Sequence, residues 1–162
     1  YQSEKESSVR NRAIGYYLLE IGALESDLEL TLDTYFQQCS IEISLQDLAT
    51  MGKILANDGE DLKTGKEIIP RQIARLVKSL MLTCGMYDAS GKFAAYVGIP
   101  AKSGVSGGII AVVPPRARAN ELPFLSGCGI GVYGPALDSQ GNSLAGIKLL
   151  RHIANQWDFS IF

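Results

Sequence analysis

The chain has 162 residues, 46% of them hydrophobic and 20% charged, with a formal net charge of −2. That length suits one domain with a sizeable core, and a mildly acidic chain without a basic stripe argues against nucleic acid or an anionic membrane as partner. The longest apolar runs, such as residues 107–115, are too short to cross a bilayer.

Residues 1–11 are polar and charged. Over 11–24 the pattern NRAIGYYLLEIGAL reads as an apolar helix, with Gly15 marking either a weak spot or a close contact with another element. Ser26 and Asp27 stand where an N-cap belongs, before a helix through Leu28, Leu32 and Tyr35, so the two segments read as a helical hairpin. Ser44 caps a third helix, with Leu45, Leu48, Met51, Ile54 and Leu55 on its apolar face and a stop near Asp58 and Gly59. Residues 59–66 read as a loop. Pro70 starts a helix whose expected buried stripe is Ile73, Leu76, Val77 and Leu80.

After Cys84 and Gly85 the pattern turns to strands. A short strand is predicted over 93–97, a buried one at Gly108–Val113 (GIIAVV) ended by Pro114 and Pro115, and a third at Cys128–Tyr133 (CGIGVY). A loop with its own basic cluster is expected over 116–123, turn chemistry over 138–142, and a last helix over 143–157. Helices first, then strands closed by a helix, predict an α+β fold with an antiparallel sheet. The expected organisation is one domain over 1–162, mainly helical through 83, with strands and a C-terminal helix over 84–162.

Several chemistries fall away. The single histidine, His152, sits between Arg151 and Ile153 with no acid or nucleophile nearby in sequence, which reads as a surface or packing residue and argues against a Ser-His-Asp triad. There is no metal-ligand cluster, no GxxxxGK[ST] phosphate loop, and no GxGxxG after a strand; Gly127 and Gly129 around Cys128 belong to a strand. Cys39, Cys84 and Cys128 are odd in number and lack CxxC spacing, and no charged, apolar and small-residue leader opens the chain, so a reduced, cytoplasmic setting is expected.

The informative stretch is residues 100–114, PAKSGVSGGIIAVVP. Gly104, Gly107 and Gly108 allow close backbone approach, and strand N–H groups there can face a ligand. The Lys102 ammonium offers positive charge to a carboxylate or a developing anion; the bland alternative is a surface turn with a solvated lysine. Lys-Ser-Gly beside a strand is also one element of the penicillin-recognising serine enzymes, whose partner element is Ser-x-x-Lys. No serine in the chain is followed by lysine three residues on, so the nucleophile is not within residues 1–162.

The blocks SEKESSVRNRAIGYYL (3–18), DTYFQQCSIEIS (33–44), LMLTCGMYDASGKFAAYVGIPAKSGVSGGI (80–109) and DSQGNSLAGI (138–147) resemble, in order, the serine-dependent glutaminase family. The resemblance covers nearly the whole chain, corresponds to the C-terminal half of a bacterial form, and is carried most specifically by CGMYDASG followed by PAKSGVSGG. It implies a serine β-lactamase/DD-peptidase-like fold, a helical cluster beside an antiparallel sheet flanked by helices. It implies hydrolysis of L-glutamine to L-glutamate and ammonia through an acyl-serine, without metal or cofactor, by a homo-oligomer.

Carried over by motif, Glu4 and Asn11 match the substrate-binding E-x6-N block; a carboxylate suits the α-ammonium of glutamine and an amide its α-carboxylate. Tyr35 of DTYF matches a pocket tyrosine. Tyr87 of CGMYD matches the tyrosine beside the nucleophile, where a phenol can relay the proton between serine and departing ammonia. Val105 of KSGV matches the position whose N–H helps form the oxyanion hole, and Lys102 is a supporting charge. Read without the resemblance, Glu4 is a solvated charge, Asn11 a helix cap, Tyr35 a half-buried packing residue and Tyr87 a loop aromatic. Two other functions compete: a penicillin-binding or β-lactamase-like acyl enzyme suggested by Lys-Ser-Gly alone, and a non-catalytic fragment that assembles with intact subunits.

Overall fold

The structure, a computed structural model, describes residues 1–115 and 126–162 and divides into two compact units, Tyr1–Ile43 and Ser44–Phe162. The basic loop expected over 116–123 lies outside the described residues.

The first unit holds α1 (Gln2–Ser7), α2 (Val9–Glu20) and α3 (Leu28–Cys39). The polar opening is thus itself helical, and the helical hairpin forms. Asp27 caps α3 by accepting the Leu30 N–H at 2.8 Å. Leu28, Leu32 and Phe36, four residues apart, form its buried stripe, with Leu19 and Leu24 packed against them. A Cβ on Gly15 would stand 2.3 Å from Leu28 Cδ1, so this glycine marks a close contact between the paired helices. Lys5 of α1 and the Tyr1 hydroxyl both donate to Asp33 of α3, and Gln37 donates to its second oxygen at 2.6 Å. Led by the Lys5 hydrogen bond, these contacts lower the Asp33 carboxyl to about 2.

The second unit runs α4 (Leu45–Ala56), the two-residue strands β1 (Glu60–Asp61) and β2 (Lys66–Glu67), α5 (Arg71–Cys84), a 3₁₀ turn (Tyr87–Ala89), α6 (Ser90–Tyr96), β3 (Ala101–Ser103), β4 (Gly108–Val113), β5 (Cys128–Tyr133) and α7 (Leu144–Gln156). Ser44 and Asp47 form a reciprocal capping box at the start of α4. The helix ends as expected, on left-handed Asp58 (φ 54°) and Gly59 (φ 94°). The Asp58 carboxylate accepts from Lys78, Arg75 and Arg71 of α5. Lys78 chiefly, then the two guanidiniums, hold its carboxyl well below the usual range.

Strands β3, β4 and β5 form one antiparallel sheet in that order, with β4 central. Ile109, Ala111 and Val113 pack on one face with Met86, Phe93, Leu150 and Phe159; Val112 and Ile110 pack on the other with Leu55, Ala56, Ala74 and Met81. Helices cover both faces, which is why GIIAVV is a continuous apolar run rather than an alternating one.

Strand β5 explains its own glycines. Gly129 pairs with Val112 and Gly131 with Ile110, so both face α4. A Cβ on Gly129 would lie 2.1 Å from Ala49 O and 2.2 Å from Lys53 N; on Gly131 it would lie 2.6 Å from Leu45 O. On α4, Gly52 lies opposite, its own would-be Cβ 2.9 Å from Gly129 Cα. Helix and strand backbones therefore meet with no side chain between them. Gly129→Ala is expected to destabilise the protein by about 3 kcal/mol, since neither neighbour is a movable side chain. Thermal unfolding checks it; an unchanged melting temperature would show that α4 can shift freely.

Three sequence expectations need correction. Residues 93–97 are not a strand but the end of α6 and its C-cap. Ser90, Phe93 and Val97 are its buried positions, spaced by three and four, and that helical period outweighs the apparent alternation. On α5, Ile73, Leu76 and Leu80 are 49%, 55% and 51% exposed, while Ala74 and Met81 are buried with Val77 beside them. The helix carries more apolar surface than one stripe, and the face with the small Ala74 packs on the core. On α4, likewise, Leu45 and Met51 are exposed, and Gly52, Leu55 and Ala56 make the close approach.

Candidate functional site

In the second unit the chain leaves α5 through Gly85, where a Cβ would sit 1.8 Å from Ala101 O. Only glycine lets the turn lie this close to β3. Gly85 C=O accepts the Ser103 N–H at 3.1 Å. Tyr87 follows with φ 52°, a left-handed conformation that a bulky residue rarely adopts. Such backbone costs about 1–3 kcal/mol and persists only where its surroundings hold it. Ser90 is the nearest restraint: its hydroxyl accepts the Met86 N–H at 3.0 Å and donates to Tyr87 C=O at 2.7 Å.

The Tyr87 side chain, 39% exposed, lies along the Lys-Ser-Gly strand. Its hydroxyl donates to Ser103 C=O at 3.4 Å, and the Lys102 ammonium lies 4.5 Å from its ring centroid while donating to the same carbonyl. Positive charge thus stands over the ring face. Val105 is 66% exposed at the tip of the turn closed by Gly104 N–H donating to Gly108 C=O and Gly107 N–H donating to Gly104 C=O. The Val105 N–H has no hydrogen-bond partner among the described residues. Gly141 lies beside both; its would-be Cβ is 3.4 Å from Val105 Cγ1 and 3.8 Å from Tyr87 Cε2. The structure therefore brings Tyr87, Lys102 and Val105 together.

Glu4, Asn11 and Tyr35 lie in the first unit, on α1, α2 and α3. Glu4 is exposed and Asn11 half-buried, and neither side chain hydrogen-bonds a described residue. The Tyr35 ring stands edge-on to Phe36, centroids 5.8 Å apart.

The sequence reading passed over Asn142 and the Ser103 hydroxyl. Both are buried, and Ser103 Oγ donates to Asn142 Oδ1 at 2.7 Å. The 138–142 segment was legible only as a turn, because a fully buried asparagine inside turn chemistry has no separate sequence signal. His152 is exposed on α7. Burial raises the Cys128 thiol to about 11, so it is a neutral packing group. Among the described residues no group of three His, Cys, Asp or Glu could hold a metal ion, and no helix is long and apolar enough to cross a membrane.

The family model described as Glutaminase matches residues 1–162. The chain belongs to the glutaminase family. A glutaminase of Oceanobacillus iheyensis is 72% identical over 162 residues, which are all of this chain and 49% of that protein. Glutaminase 1 of Bacillus subtilis is 57% identical over the same span, again 49% of its length. A crystal structure of a probable Bacillus subtilis glutaminase superimposes with a TM-score of 0.94 at 57% identity, covering 99% of this chain and 51% of that one. Another, complexed with 6-diazo-5-oxo-L-norleucine, gives a TM-score of 0.93 at 56% identity, with the same coverage. The chain spans about half the length of the curated relatives it matches. These structural relatives have the serine β-lactamase-like fold, and the described helices and antiparallel sheet follow it. The Lys-Ser-Gly box accordingly belongs to a glutaminase setting rather than a penicillin-binding one.

Proposed function

We propose that the complete protein carrying this chain hydrolyses L-glutamine to L-glutamate and ammonia through an acyl-serine intermediate, with the nucleophile outside residues 1–162. The observation that carries the reading is Tyr87, held in left-handed backbone against the Lys-Ser-Gly strand, in a chain whose whole length matches glutaminases. Tyr87 is the acid–base group that moves protons between serine, leaving ammonia and attacking water. The Val105 N–H, lacking a described partner, donates to the oxyanion. Lys102 supplies supporting charge beside the ring. Glu4 binds the substrate ammonium, Asn11 the carboxylate, and Tyr35 contributes pocket surface. The reaction needs neither metal nor cofactor.

The protein is cytoplasmic on this reading, since Cys39, Cys84 and Cys128 are free thiols. Residues 1–162 form part of one catalytic domain. The protein is a homo-oligomer, supported by the apolar face that α2 exposes through Val9, Tyr16 and Tyr17. Nucleic acid and membrane are not partners.

The test is ammonia release from L-glutamine by the complete protein and by its Glu4→Gln variant. This substitution keeps shape and removes the charge that faces the substrate ammonium. Loss of one charge-assisted contact should lower kcat/KM roughly 10- to 150-fold, or about 1.5–3 kcal/mol. No ammonia from the parent protein refutes the function; an unchanged kcat/KM in the variant makes Glu4 a solvated surface charge.

A further inference from the structure

Three separate segments meet around one fully buried side chain that the chemistry above does not use. Asn142 is 0% exposed. Its Oδ1 accepts the Ser103 hydroxyl at 2.7 Å, and its Nδ2 donates to Met86 C=O at 3.4 Å. Its own backbone is pinned in turn: the Asn142 N–H donates to Asp138 Oδ1 at 2.9 Å, and Asn142 C=O accepts the Asp138 N–H at 2.9 Å. The carboxylate of Asp138 also takes the Gln140 N–H at 2.9 Å, so the loop that presents Asn142 is closed from within.

The position of these bonds matters more than their number. Met86 C=O belongs to the peptide plane just before the Tyr87 N–Cα bond, and Tyr87 C=O to the plane just after its Cα. Asn142 holds the first plane jointly with the Ala89 N–H, which donates to Met86 C=O at 3.1 Å, and the Ser90 hydroxyl holds the second. Together they clamp the one non-glycine torsion at this site that sterics disfavour, φ 52° at Tyr87. Through Ser103, the same asparagine fixes the strand whose carbonyl receives the Tyr87 hydroxyl. Gly141, its neighbour in sequence, rests against both Tyr87 and Val105.

We infer that Asn142 is a positioning residue: it locks Tyr87 in its strained backbone and sets the phenol in register with the Lys-Ser-Gly strand and the Val105 turn. The inference rests on the proposed role of Tyr87 for its kinetic consequence, though not for its structural one. Asparagine suits the task because one fully buried side chain must both accept and donate. Alanine would leave the buried Ser103 hydroxyl without its acceptor, and Met86 C=O with the Ala89 N–H as its remaining donor.

The experiment uses the complete protein with Asn142→Ala, alone and combined with Tyr87→Phe, together with a crystal structure of the single variant. A phenol displaced by about 1 Å should lower kcat 10- to 100-fold, with KM within about twofold. In the Tyr87→Phe background the same substitution should lower kcat no further, because a residue acting through Tyr87 has nothing left to position. In the crystal structure, the Tyr87 backbone should have left the left-handed region. A kcat within about twofold of the parent, an equal loss in both backgrounds, or an unmoved Tyr87 each overturns the inference. If Asn142→Ala yields no folded protein, Ser103→Ala cuts the link to the strand and carries the kinetic readouts, kcat 10- to 100-fold lower and no further loss in the Tyr87→Phe background, while the surviving Asn142–Met86 bond keeps the Tyr87 backbone left-handed. Should Tyr87→Phe alone leave kcat unchanged, the catalytic reading of Tyr87 fails; the crystal structure then still decides whether Asn142 is the clamp.

Discussion

The 162-residue chain by itself is expected to release no ammonia from L-glutamine above a blank. An acyl-serine mechanism needs a serine whose hydroxyl is deprotonated as it attacks, and the family's Ser-x-x-Lys element supplies both serine and lysine. None of the serines in residues 1–162 has a lysine three positions on. Removing the nucleophile from a covalent catalyst costs on the order of 10⁶-fold in kcat, and what survives is binding and oxyanion stabilisation alone. Here even those are incomplete, since the chain spans 49% of its Oceanobacillus iheyensis relative. The check is an ammonia assay on a sample whose intact mass is verified at 17.5 kDa, with circular dichroism confirming that it is folded. Sustained turnover by that sample would show that the nucleophile lies within these residues and that the mechanism proposed for the family's serine does not apply.

What was legible in the sequence divides along physical lines. Caps and helix stops are local: Asp27 and Ser44 each answer a backbone N–H with a side chain, Pro70 starts α5 by its fixed backbone, and left-handed Asp58 and Gly59 follow the end of α4, so all were readable. The central strand was readable because both its faces are covered, which forces an unbroken apolar run. Helix α6 was misread because its buried Phe93 and Val97 are flanked by residues that mimic alternation over five positions, too short a window to separate the two periods. The stripe on α5 was misread for another reason: Ile73, Leu76 and Leu80 have the right spacing, but Ala74 and Met81 take the core. Periodicity names the candidate faces, and packing chooses among them. At the site, Tyr87, Lys102 and Val105 were found by motif, whereas the buried Asn142 is placed by contacts across 39 and 56 positions of sequence. Such contacts leave no local signature.

Replacing Tyr87 by phenylalanine in the complete protein is expected to lower kcat about 10²- to 10⁴-fold, the range for loss of a general acid–base group. Glutamine hydrolysis needs a proton delivered to departing ammonia and another removed from the water that attacks the acyl-serine. His152, the only histidine of the chain, is exposed on α7; the proposed mechanism assigns those transfers to the phenol of Tyr87, in the turn before α6. Its hydroxyl reaches the Ser103 carbonyl, its ring lies under the Lys102 ammonium, and its backbone is held at φ 52°, which sterics disfavour. A strained residue that only filled space would be replaced at little loss by one that fits relaxed backbone; strain retained at an exposed phenol points to the hydroxyl as what is being placed. The substitution deletes that hydroxyl and leaves the ring, so the Lys102 contact and the buried neighbours survive. Stability should therefore change little, because the bond lost is a long one at 3.4 Å to a carbonyl that Lys102 also serves. A packing role predicts the opposite pattern, with kcat within a few-fold of the parent and any loss seen as a lower melting temperature. Measuring kcat and melting temperature on the same preparation separates the two, and a near-normal kcat would remove Tyr87 from the reaction altogether.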